Sequence, residues 1–306
     1  MKNINIGFDE SHNNKLKIEE TAFADFLEFL LDSNFKIGKI EAGVTYEKLS
    51  TYDVFIIGVP TESLIETDEI TDLVKYVHDG GSLLILNDQG GDYENQNNLS
   101  ELTKNFGITF NNDTLYDGRY FSIENSRPVI RDFKSHFITR DISSIIHSNG
   151  CTLSIDKSIE KDNIDVDYIA YSSKDTSWHE YFNGSDWVEE PVSELPVIAV
   201  GHYGSGKIVA LANMSLFSSL HDSYGINAED NFKLISNIVS WLLNKAESEE
   251  TREMQPIYLT TPIDQDMFYW MKEQVGKKKW NNIGDVINFA LRVLKIRMKR
   301  EIEEEE

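Results

Sequence analysis

The strongest constraint on this chain is the alternation, over its first ninety residues, of short apolar runs with amphipathic helical stretches. Residues 3–8 (NINIGF) predict a strand, and residues 19–31 place Phe23, Phe26, Leu27, Leu30 and Leu31 at helical spacing, with Asn34 as the stop. Phe35 to Ile40 predicts a second strand. Val54 to Val59 is apolar at nearly every position, as a strand buried on both faces requires, and Pro60 ends it. Residues 66–78 turn Ile70, Leu73, Val74 and Val77 to one side, Gly80 and Gly81 terminate that helix, and Ser82 to Leu86 is the next buried strand. The order is βαβαβ, which predicts parallel pairing through right-handed crossovers in a sheet covered on both faces. Ligands of such sheets bind beyond the carboxyl ends of the strands. Those ends are Asp9 to His12, Gly58 to Thr61 and Asn87 to Gly91, so the candidate ligand pocket is Asp9, Glu10, His12, Asn87, Asp88, Gln89 and Gly90.

Beyond a helix at 99–106 the pattern changes. From Ile108 to about Leu195 short apolar runs alternate with turn signals such as Asp117-Gly118, Asn149-Gly150 and Asn183-Gly184, predicting a β-rich excursion. The alternating pattern resumes with Val197 to Val200, a glycine-rich hairpin at Gly201 to Gly206, a strand at Ile208 to Ala212 and a helix from about Glu229 to Leu243. The fold class expected is α/β. The expected division is a large domain at 1–245, a polar linker at 246–255, a small module at 256–300 and an acidic tail at 301–306.

Charge separates these parts. Residues 252–306 balance 10 Lys+Arg with 10 Asp+Glu, so the whole net charge of −23 falls on residues 1–251, and the large domain is acidic. Such a surface repels phosphate backbones and keeps the domain in solution. A lone cysteine, Cys151, excludes an intramolecular disulfide, and no Cys/His spacing suits zinc. No metal and no cofactor is expected. No window approaches the roughly 20 apolar residues of a membrane span, so a cytoplasmic location with no membrane contact is expected.

Six stretches, in order and at consistent spacing, resemble a known family: GFDESH at 7–12, GGSLLILNDQGG at 80–91, FGITFNND at 106–113, SHFIT at 135–139, VGHYGSGKIVALANMSLFS at 200–218 and DNFKLISNIVSWLL at 230–243. The chain resembles the GIFT-type domain, a class I glutamine-amidotransferase-like fold found at the N-terminus of an intraflagellar transport subunit. The resemblance implies a flavodoxin-like, doubly wound three-layer sandwich. Active members of the wider amidotransferase class carry a cysteine on a sharp strand-to-helix turn, because a thiolate must attack the carboxamide. The corresponding turn here reads Asn87-Asp88-Gln89-Gly90-Gly91 and offers no such group. Cys151, without an elbow around it, is expected to be a small core residue. Asp9 and His12 are expected chiefly to cap a helix or brace a loop, with ligand contact as the alternative reading. His136 is expected to be a structural turn residue. Gly201 to Gly206 leads into a strand rather than a helix, which favours a hairpin over a phosphate cradle. Trp178, His179, Tyr181, Phe182 and Trp187 either form a satellite core or grip a partner.

The C-terminal module resembles a ribbon-helix-helix unit: a strand, PIYLTTPI, then a helix from Asp264 to about Val275 and a second helix from Asn282 to about Arg300. Such a unit is too small to bury its own core, and the resemblance implies a homodimer with antiparallel strands. Its core candidates are Phe268, Met271, Val275, Val286, Ile287, Ala290, Leu291 and Leu294. DNA contact would use Tyr258, Thr260, Lys277, Lys278 and Lys279. The function expected is a non-catalytic binding or assembly protein, dimerised through this module and recognising a protein partner or small-molecule ligand. The alternatives are a ligand-responsive DNA-binding regulator and a hydrolase using Asp9, Glu10 or His12.

Overall fold

The computed structural model describes residues 4–155, 164–243 and 264–276, together with Ile283, Val286 and Ile287. The chain divides into two compact units, Met1–Glu247 and Ser248–Glu306.

In the first unit, β1 (Asn5–Asp9), α1 (Ala24–Asp32), β2 (Lys36–Ile40), α2 (Tyr46–Leu49), β3 (Val54–Gly58), α3 (Thr67–His78) and β4 (Ser82–Leu86) follow in alternation. They lie close to the predicted elements. Asn34 takes a left-handed φ of +57° directly after α1, the conformation that asparagine tolerates at a helix end. Two short helices, α4 (Gly91–Asn95) and α5 (Leu99–Thr103), lead into β5 (Ile108–Phe110) and β6 (Asp113–Asp117). Short strands β7 (Val129–Ile130), β8 (Asp132–Phe133), β9 (Ile145–Ile146) and β10 (Leu153–Ile155) precede the longer β11 (Ile164–Tyr171), β12 (Ser177–Phe182) and β13 (Trp187–Pro191). A hairpin of β14 (Pro196–Tyr203) and β15 (Gly206–Leu211), then α6 (Asn231–Leu243), complete the unit.

The central sheet has eight strands in the order β2-β1-β3-β4-β15-β14-β11-β8. The first five run parallel. The last three pair antiparallel, β14 and β15 as the expected hairpin and β11 and β8 beyond it. The β-rich stretch is not wholly an excursion, because β8 and β11 extend the central sheet beyond β14. The glycine-rich turn is also narrower than predicted. Gly201, His202 and Tyr203 belong to β14, and only Gly204 and Ser205 turn the chain.

Alternate residues of each parallel strand feed two cores. Val54, Ile56, Leu84, Leu86, Val209 and Leu211 face Phe26 and Leu30 of α1 and Leu234, Ile238 and Trp241 of α6. Phe55, Ile57, Leu83, Ile85, Ile208 and Ala210 face Leu73 and Val77 of α3 and Leu99 and Leu102 of α5. Each fully buried large side chain contributes about 1.5–3 kcal/mol, so these two layers supply most of the driving force for folding. Phe26 packs edge-on against both Phe8 and Phe217, with ring centroids 6.3 and 4.8 Å away. Leu31, predicted inward, is exposed instead, because a nine-residue helix turns only a narrow stripe to the sheet. The carboxyl end of α6 is satisfied by two buried groups: Lys207 Nζ donates to the Trp241 carbonyl at 2.9 Å and Ser82 Oγ to the Leu242 carbonyl at 2.7 Å. A cation at that end also complements the helix dipole.

In the second unit α7 (Gln265–Gly276) follows Asp264, whose carbonyl accepts the Phe268 N–H at 3.0 Å. Met271 is buried while Met267, Phe268, Tyr269 and Trp270 are exposed. The predicted linker, the strand with Tyr258 and Thr260, Lys277 to Lys279, Ala290, Leu291, Leu294 and the acidic tail lie outside the described residues. Among the described residues, no helix is long and apolar enough to cross a membrane.

Gly206 sets how closely β15 approaches the end of α3, since a Cβ there would sit 2.0 Å from the Val77 carbonyl oxygen and 2.3 Å from that of Gly81. Both obstacles are backbone. Gly206→Ala is therefore expected to destabilise the large unit by about 1–3 kcal/mol, read as a fall in the urea midpoint at unchanged slope. An unchanged midpoint would show that the hairpin does not lie this close.

Candidate functional site

The carboxyl ends of β1, β3 and β4 do converge, and the loop after β1 joins them. Leu16 donates its N–H to the Gly58 carbonyl and Lys15 to that of Val59, each at 3.0 Å, and Asn14 forms a bridge with Pro60. Val59 is held at φ +62°, a conformation that a β-branched residue adopts only at a cost of about 1–3 kcal/mol, and its carbonyl accepts the Lys15 N–H of the loop.

Asp9, at the end of β1, is buried and saturated. Its Oδ1 accepts from the Ser11 N–H at 3.0 Å and Ser11 Oγ at 2.7 Å, and its Oδ2 from His12 Nδ1 at 2.9 Å and Asn14 Nδ2 at 2.8 Å. Burial alone would raise this carboxyl, but the His12 hydrogen bond and charge, with Ser11 and Asn14, hold it below the usual carboxylate range. The other ring nitrogen of His12, Nε2, lies 2.9 Å from Glu69 Oε2 on α3. Burial would lower the imidazole, yet bonds to Asp9 and then Glu69 push it up to about 9. Glu69 is fixed in turn by the backbone N–H groups of Val44 at 2.7 Å and Glu66 at 3.1 Å. The result is an imidazolium clamped between two carboxylates. Neither ring nitrogen is free to accept a proton from water or to bind a metal ion, so the arrangement has the form of a strut rather than of a general base. The expectation that Asp9 and His12 cap a helix is corrected by position: the next helical turn begins only at Thr21, and the two residues brace a loop instead. Glu10 points elsewhere, pairing with Lys39 at 3.2 Å.

The turn after β4 forms the second half of the site. Asn87 is fully buried, donating to Asp92 Oδ1 at 2.9 Å while its own Oδ1 accepts from the Asp88 N–H at 3.0 Å and Asn95 Nδ2 at 3.3 Å. Gln89 donates its backbone N–H to the Asn149 carbonyl, and Gly90 donates to that of Asp113. Gly90 and Gly91 are both left-handed, at φ +69° and +52°, and a Cβ on Gly91 would stand 2.3 Å from the Asn111 carbonyl oxygen. The chain thus turns sharply from β4 into α4, with Asp88 in the turn. Burial raises the Asp88 carboxyl to about 6 against the opposing pull of Lys15, whose Nζ lies 3.3 Å from Oδ2. Asp88 Oδ1 and Asn14 Oδ1 are buried and have no hydrogen-bond partner among the described residues.

The sequence reading missed Glu69 and Asn14, which hold His12 and Asp9, and Lys15, which connects the two halves by its pairing with Asp88. Glu69 was detectable only as the third residue of a helix start, and nothing local marks it as a partner of a histidine 57 residues earlier. Cys151 is fully buried, and burial pushes its thiol well above its ordinary value. The nearest imidazole, His147, bonds the Cys151 carbonyl at 2.9 Å rather than the sulfur, and burial lowers that imidazole to about 4. His136 sits in the 135–139 turn, its Nδ1 accepting the Ile138 N–H at 3.2 Å. The aromatic residues of β12 and β13 lie in a three-stranded sheet of order β13-β12-β6, where His179 bonds the buried Asp113 at 2.8 Å. Among the described residues no group of three or more His, Cys, Asp or Glu could hold a metal ion.

A histidine whose folded pKa is raised contributes stability that is fully present below its unfolded value of about 6.5 and is lost as pH rises through about 9. The wild-type chain is therefore expected to lose roughly 1–2 kcal/mol of stability between pH 7 and pH 10 relative to His12→Gln, an amount already reduced for screening at this partly solvated loop. Parallel urea melts across that range measure the difference. Parallel pH profiles for the two proteins would remove the charged strut.

The family model of the IFT52 GIFT domain matches residues 5–168. Over 241 residues the chain is 26% identical to the intraflagellar transport protein 52 homolog of Mus musculus, a match covering 72% of this chain and 53% of that protein. The Homo sapiens homolog is 25% identical over 240 residues, covering 72% and 51%. The chain thus spans about half the length of the curated relatives it matches. Among solved structures, the mmIFT52 N-terminal domain superposes with a TM-score of 0.63 at 22% identity, over 80% of this chain and 100% of that one. A cytoplasmic protein of Salmonella typhimurium LT2 gives 0.51 at 14% identity, over 78% and 99%, and both structures speak to the fold alone. With the family model covering more than half of its length, this chain belongs to the IFT52 GIFT domain family.

Proposed function

We propose that this chain is a non-catalytic, cytoplasmic, protein-binding assembly subunit whose GIFT domain serves as a docking body. The carrying observation is the turn after β4, where Asp88 stands and Asn87, Gln89 and Gly90 are tied into internal hydrogen bonds. If this turn corresponds to the amidotransferase elbow, it offers neither the thiol nor the activated hydroxyl needed to form an acyl-enzyme from a carboxamide. Membership of a family represented by an intraflagellar transport protein supports the same reading, since that name describes transport rather than a chemical reaction. Should a small ligand enter the strand-end cluster, it would meet Asp88 Oδ1 and Asn14 Oδ1, the acceptors left unpaired, rather than Asp9, Glu10 or His12. A ligand donating two N–H or O–H groups suits that pair.

The finer part of the proposal is a homodimer formed through residues 256–300, joined to a large domain at 1–245 by a linker at 246–255. Four consecutive large side chains of α7, Met267 to Trp270, are exposed, more apolar surface than a solitary helix keeps in water. A second copy would cover them.

The mass in solution decides. The full chain is expected to run as a dimer and a chain ending at Ala246 as a monomer, and neither is expected to hydrolyse glutamine or simple amides. A monomeric full chain would remove the dimer, and turnover abolished by Asp88→Asn would remove the non-catalytic reading. Duplex DNA retained by the full chain at low salt, and lost on truncation, would favour a regulator acting through Tyr258, Thr260 and Lys277 to Lys279.

A further inference from the structure

The aromatic residues of the β12–β13 hairpin serve neither the central cores nor the strand-end cluster. Trp178 stacks on Tyr116, with centroids 5.4 Å apart and planes at 7°, and forms the inner part of the patch. Farther along, Phe182 and Trp187 face each other across the hairpin, and Tyr93 of α4 lies against both. The three rings are mutual neighbours, with centroids 5.1, 5.7 and 6.4 Å apart. Tyr93 is 52% exposed and Trp187 43%. Fold stability alone would bury these rings, and contiguous exposed aromatic surface is characteristic of interaction sites, where Trp and Tyr are the usual anchors.

Charge narrows the occupant. Glu94 follows Tyr93 in the chain, and Glu180 and Glu189 are register partners in the hairpin. The Tyr116 hydroxyl donates to Glu180 Oε2 at 3.1 Å, and burial, then Glu180, Glu189 and Glu94, push that hydroxyl up to about 12. Glu190, the next residue of β13, lies on the opposite face, where it accepts from the Tyr181 hydroxyl. Among the described residues, none of the three carboxylates Glu94, Glu180 and Glu189 lies in a salt bridge, whereas Glu124, Glu194 and Asp167 elsewhere on the domain each hold a cation. A polyanion or an acidic peptide would be repelled here. A cation would find both the negative faces of aromatic rings and carboxylates without a counter-ion. The backbone adds a third feature. β13 is the edge strand of its sheet, so one flank is open to an added strand.

We infer that this face binds an extended arginine- or lysine-rich segment of a partner protein, laid along β13 with its cationic side chains over Tyr93, Phe182 and Trp187 and against Glu94, Glu180 and Glu189. The inference rests on the partner-binding reading above and supplies that reading with a surface and a partner chemistry.

A fluorescently labelled arginine-rich peptide titrated into the full-length chain, followed by anisotropy, tests it. Saturable binding is expected, with no binding of a glutamate-rich peptide of equal length. Trp187→Ala and the double variant Glu180→Gln/Glu189→Gln are each expected to weaken it about tenfold or more, with circular dichroism confirming that both fold. Should Trp187→Ala not fold, the glutamine pair carries the test. The double variant Glu28→Gln/Asp32→Asn on α1 removes the same charge from another surface and is expected to change affinity less than about twofold. Equal losses from the two double variants would mean diffuse attraction to an acidic domain and would overturn the inference. So would absence of peptide binding, or retention of an uncharged oligosaccharide in its place. None of these outcomes touches the non-catalytic reading, which stands or falls on turnover.

Discussion

Burial of the parallel sheet on both faces governs everything else in the large unit. A strand covered on two sides is apolar along its length, so beyond Ser82 at its start β3 and β4 carry no side chain able to do more than pack. Polar chemistry is thereby confined to the strand ends and to whatever the chain inserts beyond them. At the carboxyl edge those insertions are Asp9 to Lys15 and Asn87 to Asn95, drawn together because β1, β3 and β4 are neighbours. Crowding makes the polar groups satisfy one another. Asp9 alone accepts four hydrogen bonds through its two oxygens, and the imidazolium beside it is neutralised from both sides. A buried charge costs several kcal/mol unless paired and hydrogen-bonded, which accounts for the completeness of the network around Asp9 and His12.

That completeness extends to the turn after β4. Its two left-handed glycines, between a strand and a short helix, are fixed by packing. Gly90 donates to Asp113, Gly91 is pressed against Asn111, and Asp113 is anchored by Thr152 and His179. The turn is therefore held by the β5–β6 and β12 region as firmly as by the sheet. None of these restraints passes through the side chain at position 88.

The parallel half of the fold was legible in the sequence because its signals are local. Helical spacing, paired glycines and a five-residue apolar run each report on one element, and β1 to β4 fall close to where those signals put them. What was not legible depends on pairing across long distances. Ile164 to Tyr171 has the alternating polarity of a surface strand, and only its antiparallel register with β14 makes it a member of the main sheet. α4 is five residues opening on Gly91, and its helical turn is fixed by Asn95 bonding back to the Gly91 carbonyl rather than by periodicity. In the site, Asp9, His12, Asn87 and Asp88 could be named from strand ends, but Glu69 and Lys15 could not. A charged residue on a helix or in a loop looks the same in sequence whether it faces water or a buried histidine.

The acidity of the large domain has a similar double reading. Most of its carboxylates need no explanation beyond solubility, since dispersed like charge keeps molecules apart at modest cost. Solubility does not require charges to be grouped, however, and grouping them is unfavourable unless something offsets the repulsion. Glu180 and Glu189 face each other across the hairpin, with Glu94 following Tyr93, beside two exposed rings and the half-buried Phe182, on a sheet edge that no other strand covers among the described residues. Each of those features is individually destabilising: the rings forgo burial, the carboxylates repel one another and the edge leaves backbone groups to water. A single cationic, extended ligand relieves all three together, and no internal rearrangement of the described hairpin does so. This common relief, more than the exposure of any one residue, distinguishes the patch from the isolated apolar side chains such as Leu64 that dot the rest of the surface.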